Sequence, residues 1–337
     1  MLRKILFIIT VILIHGCARH EMPPEEANLV PESVLNLVYE TYPEATNLSS
    51  TVIEKNKVYE LTFDLKGAKY SVYANSKDII SSAKSNGEAT PDSLVKWVNK
   101  SIIKGGTFSD YRKVSHTDGN PLFPTVNYRL NGVDFVLTLA GSVIMAPYTK
   151  LIVLPNLHDL PEKVVEFIEK RTKPNPSFVN TLVNLNQRTR DSLKLRDEFS
   201  FNNAVMHVDS DGSKTYQVNV IYFGRKAQTM IFNDSGDLIW VSDFNAIRQY
   251  IQDFTERKFD TNLTHQEIAT FSDILRASSH FSGYSLDVSN NLQNSFRNEY
   301  AGITSYTLLL SNNSYDRWTL YYNANEKLIF SAYTAMW

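Results

Sequence analysis

Apolar and polar side chains alternate most clearly over residues 216–240. Tyr216, Val218, Val220 and Tyr222 fall in one phase, and Gln217, Asn219 and Ile221 in the other. A period of two marks a half-buried antiparallel strand. Phe223-Gly224-Arg225 breaks the pattern, because glycine reaches the positive φ a hairpin needs. A second strand is expected over 227–232. Asn233-Asp234-Ser235-Gly236-Asp237 is a second turn, and 238–241 a third strand. Strands joined this tightly predict an antiparallel meander.

Weaker versions of this pattern occur three more times, each after a helical stripe. Val34, Leu37, Val38 and Thr41 form the first stripe, opened by Val30-Pro31-Glu32-Ser33 and ended by Tyr42-Pro43. Leu94, Trp97, Val98 and Ser101 form the second, after Thr90-Pro91-Asp92. Val164, Phe167 and Ile168 form the third, after Leu160-Pro161-Glu162. Ile268, Phe271, Ile274 and Leu275 form the fourth, where Thr264 and Glu267 have capping-box spacing. Proline suits a first helical turn, where its missing N–H is not needed. Strands are expected near 51–54, 58–65 and 69–74, then near 111–116, 126–130 and 135–139. Others are expected near 204–208, 284–289, 305–310, 318–322 and 328–333. Lys66-Gly67 and Asn131-Gly132 supply hairpin turns. Phe244, Ile247, Ile251 and Phe254 predict a connecting helix over 243–258.

The four helix starts are unevenly spaced, which argues against a strict solenoid. A segment of about 60 residues is marginal alone. Pairing of the four units into two domains, 29–150 and 151–337, is therefore expected. The fold class expected is α+β, with tandem repeats of one helix on a roughly four-stranded antiparallel sheet.

Residues 1–16 read as an address. Arg3 and Lys4 precede an apolar run over 5–14, too short to span a bilayer. Ile14-His15-Gly16-Cys17 resembles a bacterial lipobox. That resemblance implies cleavage after Gly16 and acylation of Cys17, the single cysteine of the 337 residues. Several acyl chains make a stable anchor. Ala18 stands where an aspartate would favour inner-membrane retention, so the outer membrane is the expected destination. Residues 17–28, with Pro23-Pro24, form a short tether. With its one cysteine acylated the chain has no disulfide, so its cores must be hydrophobic.

The segments 30–34, 42–45, 59–63, 160–164 and 216–240 resemble the PepSY-like, β-lactamase-inhibitor-like repeats. These are found largely in exported proteins of Bacteroidetes. The resemblance implies a helix on a four-stranded sheet in each repeat and, by analogy, binding of a protein or peptide. The inhibitor's disulfides and inhibitory-loop motif have no counterpart here.

Formal net charge is −2, and loss of Arg3 and Lys4 makes it more negative. Such a balance gives no footprint for nucleic acid. His20, His116, His158, His207, His265 and His280 show no zinc-ligand spacing. No nucleophile elbow or phosphate-binding glycine loop occurs. No cofactor, metal or catalytic group is expected. Asp209-Ser210-Asp211-Gly212-Ser213 reads either as the start of a calcium loop or as an ordinary turn, and the later carboxylates of a calcium loop are missing. Arg188, Arg190, Lys194 and Arg196 read as a solvated face or a dock for an acidic partner or headgroup.

Some aromatic residues lie out of phase with the core, namely Tyr73, Phe223 and Tyr321, with Met230 beside them. Exposed, they would make a protein or glycan interface; otherwise a neighbouring unit covers them. The expected function is an outer-membrane-anchored module binding an envelope or extracellular protein or peptide, with inhibition of an envelope enzyme as one form. The alternative is a glycan- or peptide-capturing accessory protein of an outer-membrane uptake system.

Overall fold

A computed structural model describes residues 30–85, 87, 89–116, 124–139, 142–172, 199–222, 225–242, 260–281, 283–288, 295–300, 302–312 and 316–336. Cys17, the leader and tether, Phe223, the basic run 188–196 and the expected helix 243–258 lie outside the described residues.

The helices form where the stripes place them. They are α1 (Glu32–Thr41), α2 (Asp92–Val98), α3 (Glu162–Thr172) and α4 (His265–Ala277). Helices α1 and α2 start after Pro31 and Pro91, with an acid in the first turn to offset the helix dipole. Helix α4 has both halves of its capping box. Glu267 N–H donates to Thr264 Oγ1 at 3.2 Å, and Thr264 N–H donates to Glu267 Oε2 at 2.7 Å.

The first segment adds β1 (Thr46–Glu54), β2 (Val58–Leu65), β3 (Ala68–Ala74) and β4 (Ile79–Ser85). The second adds β5 (Thr107–His116), β6 (Thr125–Leu130), β7 (Val133–Leu139) and β8 (Ser142–Pro147). The third contains β9 (Lys150–Leu154), β10 (Phe199–Val208), β11 (Lys214–Tyr222), β12 (Arg225–Asn233) and β13 (Leu238–Val241). The fourth contains β14 (Asp260–Asn262), β15 (Ser285–Leu286), β16 (Phe296–Tyr300), β17 (Ile303–Ser311), β18 (Arg317–Asn323) and β19 (Leu328–Met336). Turn chemistry closes the hairpins. Asn75, Asn233 and Asn323 each accept backbone N–H bonds on Oδ1 from residues two to four positions on.

The expected fold class is not what the chain builds. The protein is mainly β, made of two large antiparallel sheets rather than separate helix-on-four-strand repeats. Strands β9–β13 form a five-stranded sheet, and all the others join one fourteen-stranded sheet. The physical reason is the sheet edge. An isolated four-stranded sheet leaves two rows of unpaired N–H and C=O groups. Here β4 pairs with β5, and β8 pairs with β19, so those edges disappear. The β8–β19 ladder, with Tyr333 opposite Met145, also crosses the expected grouping of 29–150 apart from 151–337.

Three cores follow. One lies between α1 and β2–β4, around Val34, Val38, Leu61, Phe63 and Val72. A second is shared: Leu94 and Val98 of α2, and Phe271 and Leu275 of α4, cover one continuous sheet face with Tyr128, Leu137, Met145, Leu308, Leu320 and Tyr333. The third lies under α3 and includes Ile152, Met206, Val218, Met230 and Phe232. Val58 and Ile80 of the first segment belong to this third core. On the opposite face of the small sheet, Trp240 stacks on Tyr321. The long sheet therefore contacts the small sheet on both of its faces.

Candidate functional site

The described residues offer one continuous sheet face that no helix covers. On β6, β7, β8, β19 and β18, alternate residues such as Tyr128, Leu137, Met145, Tyr333 and Leu320 are buried beneath α2 and α4. The residues between them point the other way. Register aligns Thr125, Thr138, Ile144, Thr334 and Arg317 in one row across five strands. Asn127, Val136 and Ala146 form a parallel row, and Thr319 faces Ala332. All ten are at least partly exposed. At ordinary strand spacing the five-strand row is about 19 Å wide. Its chemistry is small, β-branched and neutral, with Arg317 at one end.

A charged junction joins the first segment to the small sheet. Glu54 of β1 bonds Lys214 of β11, and Tyr216 Oη donates to the same carboxylate at 3.4 Å. Glu60 of β2 bonds Lys150 of β9, and Tyr73 Oη donates to it at 3.4 Å. Each carboxylate thus faces a lysine and a phenol, and Glu60 also accepts from Ser71 Oγ at 3.3 Å. Burial, followed by the nearby carboxylate, pushes both phenols well above the usual range. Lys57 adds ammonium hydrogen bonds to the carbonyls of His158 and Leu160. This arrangement fixes strands to one another.

Replacing Lys214 by methionine should cost about 1–3 kcal/mol, because it leaves Glu54 charged in a site only 24% exposed. Adding Glu54→Gln should restore most of that loss. A double-mutant cycle in urea measures the coupling, and additive costs would show that the pair contributes nothing.

His207 lies on the opposite face of the small sheet. Its ring meets Phe330 at 6.0 Å, and Thr149 Oγ1 lies 3.3 Å from Nδ1. Burial pushes its pKa from 6.5 down to about 4, against an opposing hydrogen bond with Gln217. An unfolded chain takes up this proton below 6.5, whereas the folded chain does not until about 4. Stability should therefore fall as pH drops through that window, by about 2 kcal/mol after discounting for residual water access. His207→Phe should flatten this part of the profile, read from urea midpoints between pH 7 and 4.

Of the four sequence-derived binding candidates, the three described ones do not assemble into one exposed site. Tyr73 is half-buried, and its hydroxyl is held by Glu60. Met230 is 1% exposed, which corrects its expected place on an open face. It pairs with Val218 in the ladder and so shares the core phase of that strand. Tyr321 is partly buried, stacked on Trp240 at 4.0 Å and beside Phe330. Phe223 lies outside the described residues. The Asp209–Ser213 string closes the β10–β11 hairpin, with Ser213 N–H on Asp211 Oδ1 and Ser213 Oγ on Asp209 Oδ2. Among the described residues, no group of three or more His, Cys, Asp or Glu side chains could hold a metal.

Sequence reasoning passed over Lys150, Lys214, Glu54 and Glu60. A signal was present, since Lys150 is in phase with Ile152 and Leu154, and Lys214 with Tyr216 and Val218. A lysine on the buried phase of a strand needs a buried partner.

No protein-family model matches the chain, and no curated protein matches it.

Proposed function

We propose that this is an outer-membrane lipoprotein, anchored through acylated Cys17, that binds a protein or peptide of the cell envelope. The observation that carries the binding reading is the partly exposed sheet face of β6–β8, β19 and β18. A largely neutral sheet face about 19 Å wide suits shape-complementary contact with another protein better than chemistry. The glycan reading is weaker, because Tyr321 and Tyr73 are engaged within the fold rather than presented as a stacking platform. The anchor reading rests on Ile14-His15-Gly16-Cys17.

Two experiments test these readings. Cys17→Ser should move the protein out of the membrane fraction and abolish incorporation of an alkyne fatty acid. Retention of both would overturn the anchor. For the face, a photocrosslinking residue at Ile144 or Thr334 of the full chain should trap one envelope protein in the native cells. The same residue at Asn325, on the exposed β18–β19 turn, should not. Absence of any crosslink specific to the face would remove the binding reading.

A further inference from the structure

We propose that the loop following α2 is a second membrane contact, seating on anionic phospholipid headgroups beside the lipid anchor. The inference deepens the anchored reading above. Its central observation is Ile102, 50% exposed next to Ile103, which is 3% exposed. The loop does not hold Ile102 outward by chance. Tyr128 Oη donates to the Ile103 carbonyl and accepts the Gly106 N–H at 2.8 Å, which pins the loop at both ends. Gly106 is packed so closely that a Cβ there would lie 2.4 Å from Tyr128 Cζ. With Ile103 drawn into the core and Gly106 pressed on the ring, Ile102 is turned away from both.

The charged residues nearest Ile102 along the chain are all basic. Lys100 and Lys104 flank it, and Lys96 lies one turn back on α2; all three are exposed. Lys96 also complements the C-terminal dipole of α2. Lys100 and Lys104 lie beyond the helix, and no ion pair engages them among the described residues. The neighbouring loop after α4 approaches through Gly283, whose Cβ position is 3.5 Å from Ile102 Cδ1. Val133, 40% exposed, follows the Asn131-Gly132 turn at the end of β6, whose Arg129 carbonyl Gly106 approaches. The acid there, Asp134, faces Arg129 at 3.8 Å.

Exposed aliphatic side chains among unpaired lysines fit the boundary between anionic headgroups and acyl chains. Alone, so small a contact would not hold a free protein on a bilayer. Anchoring changes this, because the stretch from Cys17 to Leu29 spans at most about 45 Å even when extended. The chain then stays close to the bilayer, and a weak contact becomes an intramolecular one.

The test uses the full chain with Ile102→Cys, labelled with an environment-sensitive fluorophore, on vesicles of phosphatidylcholine with or without phosphatidylglycerol. Labelling of the unsubstituted chain reports whether Cys17 is free. Flotation with neutral vesicles reports the anchor. A blue shift at position 102 with phosphatidylglycerol, weakened by salt and abolished by Lys100→Glu with Lys104→Glu, is the expected result. The same label at Asn325→Cys should not shift. Flotation on neutral vesicles without a shift at 102 would overturn the inference and leave the anchor standing. A free Cys17 thiol without flotation would overturn the anchor, and with it the loop contact, which needs the anchor to hold the chain at the surface. An equal shift on neutral vesicles would overturn the electrostatic basis.

Discussion

Replacing Trp240 by alanine should destabilise the protein by about 3–5 kcal/mol and loosen the seat of the small sheet on the long one. Trp240 is 2% exposed on β13, its ring stacks on Tyr321 at 4.0 Å, and Nε1 donates to the Tyr306 carbonyl at 3.1 Å. Around it the contact is polar. Asn298 Nδ2 donates to the Val241 carbonyl at 2.9 Å, and the Val241 N–H donates to Ser305 Oγ at 3.3 Å. Side chains from β16 and β17 thus satisfy the backbone of an edge strand that would otherwise be buried unpaired. The indole is a large, buried apolar group at this contact, while Val58 and Ile80 of the long sheet meet the small sheet on its other face. Trp240→Phe should cost less, since it keeps a ring on Tyr321 and loses the hydrogen bond and only part of the buried volume. Urea midpoints give the energies, and hydrogen exchange should show β13 and β17 losing protection together. A loss below about 1 kcal/mol for the alanine variant would show that the sheets are seated by other contacts.

Local features were legible in the sequence, and long-range pairing was not. All four helices start where a proline or a Thr264–Glu267 pair placed them, because caps and first-turn residues act within a few positions. The turns at Lys66-Gly67, Asn131-Gly132 and 233–237 were legible for the same reason. Strands β4, β8, β9, β14 and β16 were missed. Over Ser142–Pro147 and Lys150–Leu154, apolar residues run together instead of alternating cleanly, and such runs do not identify a strand by period alone. That omission hid the larger feature, because β8 is the strand that meets β19. Their pairing joins positions almost two hundred residues apart, and no local preference encodes it. It arises because two amphipathic helices and two half-covered sheets bury more surface over a joint core than separately. Met230 shows the same limit in one residue. Its face depends on the register across the β11–β12 hairpin, and a slip of one position reverses inside and outside. The exposed rows through Ile144 and Thr334 could not be foreseen without the β8–β19 ladder that aligns them.

The joint core carries a second large expectation. Phe271→Ala should cost about 3–5 kcal/mol, since the ring is fully buried and meets Tyr306 at 4.9 Å and Tyr322 at 5.2 Å. The informative part is where the damage spreads. Phe271 comes from α4, yet its core also contains Leu94, Val98, Leu137 and Met145 from the second segment. If β8 and β19 bind these halves into one cooperative body, hydrogen exchange in β6–β8 should rise as much as in β17–β19. Leu61→Ala is the internal comparison: it opens a cavity in the separate core under α1 and should leave β17–β19 protected. Loss of protection confined to residues 263–335 in the Phe271 variant would mean that the halves share hydrogen bonds but not stability. The partly exposed face would then be a hinged surface. Coupled loss would make it one rigid plate, held flat from behind by α2 and α4, on which the rows through Ile144 and Thr334 keep a fixed spacing for a partner to recognise.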